Sequence, residues 1–476
     1  SSSRPSSQSE IRQAIKTLKN NKSPGDDAIT NDILKAICEP LTPILTTIFN
    51  NIIASGHMPK EWQVSIITLL YKKGDPHDVG NYRPISLLPT IYNRIPSTFF
   101  NHGSYIYPNT NNRKIYILKK ELYIAFVDYS KAFDSISHKS LWSAFLSQEV
   151  DNKYVAILQL LYNKSKAKVV RLGRRGNPFE IKRGVRQGDP ISPNLFTPLL
   201  EDIFRKLNWT GLRLRINGEH LSHLRFADDI VILSENHTDL EIMLESLDKE
   251  SRKCGLEMNA SKTCVMTNGG QIPIRVNQCV LTYVSSYVYL GQNISFQGQT
   301  IAEVERRIKK AWNKYWALKH IFKSKLPLKL KKKVFDNTIV PVVLYGCQSW
   351  VFTKEVSHKL QVFQRSMERS MLGLKLRDKV RCSHIRKVTK LKCIVAVAHK
   401  TKWRWAGHIS RTHDGRWSER VLHWWPREDK RPRDCPRRRW SDDIVQFAGA
   451  TWPRLADDRI RWHEMEEAFA QKWATH

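Results

Sequence analysis

No stretch of the chain is apolar for long enough to cross a bilayer, and the Ser-rich start lacks the pattern of a secretory signal. No membrane partner is expected. Cysteine is scarce, with eight scattered over 476 residues, which reads as reduced intracellular thiols and excludes a disulfide framework. Cys382, His384, Cys393, His399 and His408 form neither a CxxC pair nor a Cys2His2 spacing, so no zinc is expected. Acidic side chains are in short supply: 45 Asp and Glu stand against 78 Lys and Arg, a net charge of +33. That excess is the footprint of a polyanion binder. A membrane-surface or ribosome-associated basic protein would share it. What is present is ordinary: 41% hydrophobic residues, and enough length for a large core and two or more domains.

Where the scarce acids gather is therefore informative. In HLRFADDIVIL (223–233), Asp228 and Asp229 interrupt two apolar runs, which predicts two strands joined by a tight hairpin. Adjacent carboxylates fixed by buried strands suit a cation site. Taken alone, the pair equally fits a solvated turn, because Asp bonds locally in turns. In LYIAFVDYSKAFD (122–134), a strand-like run ends at Asp128. If that strand lies beside the hairpin, three carboxylates meet at one sheet end. They would repel each other unless divalent metal neutralised them. Such a site can hold two ions about 3.5–4 Å apart, the arrangement that activates an attacking hydroxyl and stabilises a leaving phosphate group. Between the two clusters lies KRGVRQGDPISPNLF (182–196). Its Gly184 and Gly188 permit unusual dihedrals, and Gln187 offers an amide to a base or sugar edge.

The ordered set AFVDYSKAFDSI, RGVRQGDPISPNLF and FADDIVIL resembles the central motifs of reverse transcriptases, and among them those of non-LTR (LINE-type) retrotransposons. SPGDDAITNDILK (23–35) and NYRPISLLPT (81–90) resemble fingers motifs of that family. GLEMNASKTCVM (255–266) resembles its lysine-bearing motif, and YVYLG (287–291) its primer-contacting motif. RWAGHISR (404–411), with the Trp/Arg-rich run after it, resembles a C-terminal tail. The resemblance covers nearly the whole chain from about residue 10 and rests on many motifs in family order.

It implies an α+β right-hand polymerase with an antiparallel palm sheet, a helical thumb and a basic C-terminal region. Residues 1–9 read as a disordered start, 10–120 as fingers, 121–295 as palm, 296–375 as thumb and 376–476 as the basic tail. The implied activity is RNA-directed DNA polymerisation with two Mg²⁺ or Mn²⁺ ions, taking template RNA, a DNA primer or target DNA, and dNTPs. The implied location is the nucleus, with a cytoplasmic ribonucleoprotein phase. Asp128 and Asp228 would be the main metal ligands, with Asp229 beside them and the Tyr129 carbonyl completing the shell. Phe133 would block a 2′-hydroxyl, Gln187 and Gly188 would meet the templating base and incoming nucleotide, and Lys262 would serve the leaving pyrophosphate as general acid. Arg83 and Lys22 would contact triphosphate or template phosphate. Arg306, Lys310 and Arg404 would contact nucleic acid from the thumb and tail. Asp134, next to Phe133, would point to the opposite strand face if the strand persists, and it reads as structural.

Periodicity adds structural expectations. Ile11, Ile15 and Leu18 form a helical stripe stopped by Ser23-Pro24-Gly25. Thr238 and Glu241 resemble a capping box ahead of Leu240, Met243, Leu244 and Leu247, with Gly255 closing that helix. Val304, Ile308, Trp312, Tyr315 and Leu318 make a thumb stripe. Residues 375–440 hold 21 Lys and Arg against 6 Asp and Glu, interleaved with Trp403, Trp405, Trp417, Trp424, Trp425 and Trp440. That run fits a nucleic-acid grip or a small Trp core with a basic surface.

Several features depart from the family pattern. Residues 94–120 are short, lack the Gln-x-Gly-Phe-Arg-type motif, and read as a deletion or frame-disrupted stretch. The first fingers motif has Gly25-Asp26-Asp27-Ala28 in place of Gly-Pro-Asp-Gly. The sequence begins at Ser1, and no endonuclease domain precedes the polymerase motifs. The expectation is a fragment or the product of a decaying element copy. The alternative to an active polymerase is then a catalytically impaired nucleic-acid-binding relic with the same fold.

Overall fold

The computed structural model describes residues 5–55, 58–92, 121–163, 165–171, 174–212, 214–216, 219–412, 417–423 and 438–474. The stretch expected to be damaged, 94–120, lies outside the described residues, as do Trp424 and Trp425.

Helix α1 (Gln8–Lys16) opens on a capping box: the Ser7 side chain accepts from the Glu10 amide, and the Glu10 carboxylate accepts from the Ser7 amide at 2.8 Å. The helix stops at Thr17, ahead of the expected Ser-Pro-Gly signal. Ile11, Ile15 and Leu18 are all buried. The first sheet places β1 (Val64–Tyr71) between β2 (Tyr82–Leu87), antiparallel, and β4 (Lys166–Arg171), parallel.

The second sheet carries the acids. Its central strand is β3 (Tyr123–Val127). On one side β3 pairs with β6 (Asp229–Ser234), which is hairpinned to β5 (His223–Phe226). On the other it pairs with β7 (Cys264–Thr267), which takes the short β8 (Thr282–Tyr283) alongside. All these pairings are antiparallel except β7 with β8. Side chains alternate across a strand. Tyr123, Ala125 and Val127 therefore enter one apolar cluster, and Leu122, Ile124 and Phe126 enter another on the opposite face. Both faces are covered, which is why 122–127 reads as a continuous apolar run. The first cluster also contains Ile11, Phe49, Trp62 and Tyr92, so the described part of the first 120 residues shares one core with the sheet.

Two helices back that sheet: α2 (Ser192–Arg205) and α3 (His237–Lys253). Leu240, Met243, Leu244 and Leu247 of α3 are buried against it, and Gly255 follows the helix with a φ of +84°. The expected Thr238/Glu241 box is corrected. The cap is Asn236, whose side chain accepts from the Asp239 amide at 2.7 Å, while Glu241 accepts from the Arg275 amide. Asn supplies the same acceptor two residues earlier. The strand ends at Val127, and Ala132–Ser135 form a helical turn, so the condition on which Asp134 would face the opposite side is not met and strand alternation does not govern it.

A hairpin of β9 (Ser286–Tyr289) and β10 (Gln292–Ser295) leads to α4 (Gln299–Ala317), α5 (Lys354–Leu372), α6 (Ile394–Ser410) and α7 (Glu466–Ala474). The α4 stripe is inward: Val304, Ala311 and Tyr315 are buried, with Ile308, Trp312 and Leu318 packed beside them. The same cluster continues through Leu360 and Met367 into Leu391, Ile394, Val395 and Ala398. No break in packing falls at the boundary expected at 375/376: the start of the basic region packs into the same apolar cluster as α4 and α5. Beyond it, Trp403, Trp452, Trp462 and Phe469 form a separate small core. Trp403 and Trp462 stack at 3.7 Å, and each indole donates to the other's carbonyl. Among the described residues no helix is long and apolar enough to cross a membrane.

Candidate active site

The acids sit at one end of the β3–β6 pair. Val127 pairs with Ile230, so Asp128 and Asp229 each lie one residue beyond that pair, toward the same sheet end. Asp228 lies in the two-residue turn, whose first residue, Ala227, has a left-handed φ of 52°. The three carboxylates feel one another. Burial raises the pKa of Asp228, the charge of Asp128 adds to the shift, and Arg83 opposes it. Asp229 keeps a solvent-facing edge, yet burial and the charges of Asp228 and Asp128 push it up to about 6.

Around Asp128 the backbone is held firmly. Its amide donates to the Thr263 hydroxyl at 3.3 Å and its carbonyl accepts from the Asn259 amide at 2.8 Å. The Ser130 amide donates to the Glu257 carbonyl, so this bridge uses the residues flanking Tyr129 and leaves the Tyr129 carbonyl outside it. The Asp128 Oδ2 atom is buried and accepts no hydrogen bond. The exposed Lys262 ammonium stands 3.7 Å from it. A buried carboxylate oxygen without a donor, facing two further acids, fits a cation. Among the described residues no three His, Cys, Asp or Glu side chains converge tightly enough to hold a metal ion as they stand. The acids are within electrostatic reach and would have to close on an ion.

The second group of site residues is positioned by the loop before α2. The Ser86 amide of β2 donates to the Gln187 carbonyl at 2.7 Å. Gly188 has a φ of +100°, and a Cβ there would lie 3.0 Å from the Ile85 side chain and 3.2 Å from the Ser86 carbonyl. Only glycine suits that dihedral and that close approach. Phe133 is half-buried, its ring stacked on Phe196 at 4.8 Å, and its carbonyl accepts from the Val185 amide. The loop thus joins Phe133, Gln187 and Gly188 to the strand that carries Arg83.

The residues that hold this loop were not singled out by sequence. Arg186 is buried and donates to the carbonyls of Trp62, Gln63 and Leu161, with Tyr92 and Tyr162 rings about its guanidinium. Asp189 is buried, accepting from the Tyr92 hydroxyl at 2.8 Å and the Ile191 amide at 2.9 Å. Gly-Asp-Pro alone reads as an ordinary turn, and no local signal points to partners about a hundred residues away.

The remaining predicted contacts lie elsewhere. Lys22 is exposed after α1, and Lys310 is exposed on α4. Arg306 does not present a free guanidinium: it pairs with Glu303 and donates to the Gly291 carbonyl. Arg404 is exposed but forks onto Glu466 at 2.7 and 2.6 Å. Of the tail tryptophans, Trp403 is core. Trp440 is half-buried and donates to the Gln348 carbonyl, and Trp417 packs against the far face of the acidic sheet.

A buried antiparallel sheet bearing three acids at one end, backed by two helices and continued by a hairpin into a helical bundle, defines a right-hand polymerase. Comparisons with known proteins agree. Residues 71–294 match the family model described as reverse transcriptase (RNA-dependent DNA polymerase). A transposon-derived protein of Caenorhabditis elegans is 30% identical over 52% of this chain and 96% of its own length. The Pol polyprotein of the type-1 retrotransposable element R2 from Popillia japonica is 27% identical over 80% of this chain and 57% of that protein. The RNA-directed DNA polymerase from the mobile element jockey of Drosophila funebris is 27% identical over 76% of this chain and 43% of that protein. The chain belongs to the reverse transcriptase family of non-LTR retrotransposons. It spans about half the length of the R2 and jockey proteins it matches. Reverse transcriptases generally use divalent metal ions, and they act on RNA templates and DNA.

Proposed function

We propose that this chain is an RNA-directed DNA polymerase that copies retrotransposon RNA into DNA during element insertion. The observation that carries this reading is the electrostatic cluster of Asp128, Asp228 and Asp229 around a buried carboxylate oxygen that accepts no hydrogen bond. Two Mg²⁺ or Mn²⁺ ions held by these acids and the Tyr129 carbonyl would supply the charge for activating a 3′-hydroxyl and stabilising pyrophosphate. The protein groups do the rest. Lys262 and Arg83 bring positive charge to the acids and to the incoming triphosphate. Lys262 can deliver a proton to the departing pyrophosphate. Gln187 and Gly188 seat the base pair being formed, and the Phe133 ring excludes a 2′-hydroxyl.

Primer extension on an RNA template with Mg²⁺ or Mn²⁺ tests this. The expected result is dNTP-dependent extension that Asp228→Asn abolishes while RNA binding is nearly retained. Binding without extension in the wild type would support the impaired relic instead. A tagged chain is expected in the nucleus, with a cytoplasmic ribonucleoprotein pool; a chain confined to the cytoplasm would exclude that location.

A further inference from the structure

The tip of the β9–β10 hairpin is a two-residue turn, Leu290 and Gly291, with φ of 47° and 76°. Two successive left-handed residues make the mirror-image turn that suits a tight hairpin. Its two carbonyls lie outside the strand ladder, and both are taken by the thumb. The Tyr345 hydroxyl donates to the Leu290 carbonyl at 3.1 Å. Arg306 and Arg307 both donate to the Gly291 carbonyl. Two guanidinium groups converging on one carbonyl repel each other unless an anion sits between them. Glu303 is that anion. It is 2% exposed and accepts from Arg306 at 2.8 Å, from Arg307 at 2.7 Å and from the Asn293 amide of β10 at 2.9 Å. Arg307 also lies over the Tyr345 ring at 4.4 Å, so both grips on the tip share one packed unit.

The first strand of the same hairpin, next to the turn, reaches the acid-bearing strands. The Tyr289 hydroxyl donates to the Asp229 carbonyl at 3.2 Å. The Tyr287 ring stacks on Phe126 at 4.1 Å and 14° between planes, two residues before Asp128. The hairpin is therefore a short strut, held at its turn carbonyls by Tyr345, Arg306 and Arg307 and along β9, from Tyr287 to Tyr289, by both acid-bearing strands. Charge-assisted bonds in a buried setting are stiff, and removing their common anion leaves two cations uncompensated.

We infer that Glu303 is a positioning residue for the polymerase: by fixing Arg306, Arg307 and β10 together it sets the hairpin, and through Tyr289 the catalytic turn, relative to the thumb. This rests on the polymerase reading above. A shift at the tip moves the backbone carbonyl of Asp229, so thumb placement and the geometry of the acids are one variable. An ordinary structural ion cluster would stabilise α4 without reaching the turn.

The test uses the full chain with Glu303→Gln, Tyr289→Phe and the double variant, each checked by thermal melting. Glu303→Gln keeps the side-chain shape and removes the charge; Tyr289→Phe removes only the hydroxyl. In steady-state extension on an RNA template, Glu303→Gln is expected to lower kcat on the order of tenfold, the scale of a small misplacement, with little change in primer–template affinity. The double variant is expected to be no worse than Glu303→Gln, because both act through one strut. Additive losses, or a loss confined to melting temperature or primer–template affinity, would overturn the inference. If the wild type does not extend at all, the polymerase reading fails by itself. Hydrogen exchange then still reads the strut. Glu303→Gln is expected to speed exchange across Ser286–Ser295 and also across Phe226–Ile230. Unchanged exchange at Phe226–Ile230 would overturn the coupling.

Discussion

At the scale of single residues, the sequence exposed the acids but not what aims the residues beside them. Asp128, Asp228 and Asp229 were legible because short apolar runs end on them, and both runs became strands of one sheet. Phe133 was legible only through the family motif. Its ring is partly packed on Phe196, which raises the question of whether it reads a sugar or fills a core. Phe133→Ala or Phe133→Val should admit ribonucleotides, since a single steric contact can supply a few kcal/mol of discrimination. Unchanged ribonucleotide incorporation by either variant would assign the ring to packing alone. Arg186 and Asp189 escaped notice because their partners, Trp62, Leu161 and Tyr92, come from distant parts of the chain. Arg186→Leu strips three carbonyls of their donor and leaves the buried Asp189 without a nearby cation. Chemical denaturation should show a loss of about 3–5 kcal/mol, the range for breaking a buried charged network. A loss below ~1 kcal/mol would mean that water replaces the guanidinium.

At the scale of elements, helix and strand stripes were legible and their ends less so. The α3 stripe is buried as its spacing implies, but its cap moved to Asn236, since Asn and Thr offer rival acceptors two residues apart. Helix α6 illustrates what stripes conceal. Lys402 on this helix is fully buried, its ammonium 2.9 and 2.8 Å from the Asp443 oxygens. His399, one turn earlier and also buried, lies 4.0 Å from Asp443. Burial pushes the His399 pKa down to about 4 from the usual 6.5; Asp443 and the Val395 carbonyl oppose the shift, and Lys402 and Arg438 favour it. The sign follows. The unfolded chain binds a proton on His399 between about 6.5 and 4 and the folded chain does not. The stability from this site is complete above about 6.5 and is lost as pH falls through that window. The full loss is about 3 kcal/mol, from roughly 2.5 pKa steps of 1.36 kcal/mol each. Melting followed by tryptophan fluorescence from pH 7.5 to 4.5 should fall more steeply in the wild type than in His399→Gln. Parallel slopes would place the pH sensitivity elsewhere.

At the scale of the molecule, net charge points to a polyanion partner, but domain boundaries could not be drawn by composition. The change to Trp- and Arg-rich sequence near residue 375 looks like a boundary, yet Leu391, Ile394, Val395 and Ala398 pack into the core of α4 and α5. Cutting the chain after Leu374 would therefore expose that core as well as removing charge. Neutralising the exposed Lys375, Arg377, Lys379 and Arg381 together with Gln separates the two effects. The slope of log binding constant against log salt should fall by about 0.9 for each duplex phosphate that is no longer neutralised, or about 0.7 on a single strand, with melting unchanged. An unaltered slope would mean that these cations only solvate the surface.

The stacked pair of Trp403 and Trp462 has a consequence for how this region can change over time. Their reciprocal hydrogen bonds join positions 59 residues apart, so the sequence between them is a closed loop whose ends are already paired. Closing a longer loop costs only about 0.6 kcal/mol for each doubling of its length. A few residues inserted at the exposed Gly449 and Ala450 would thus cost folding little, whereas insertions beside Ala406, Ile444, Trp452 or Ala456 would break the core to which the two indoles belong.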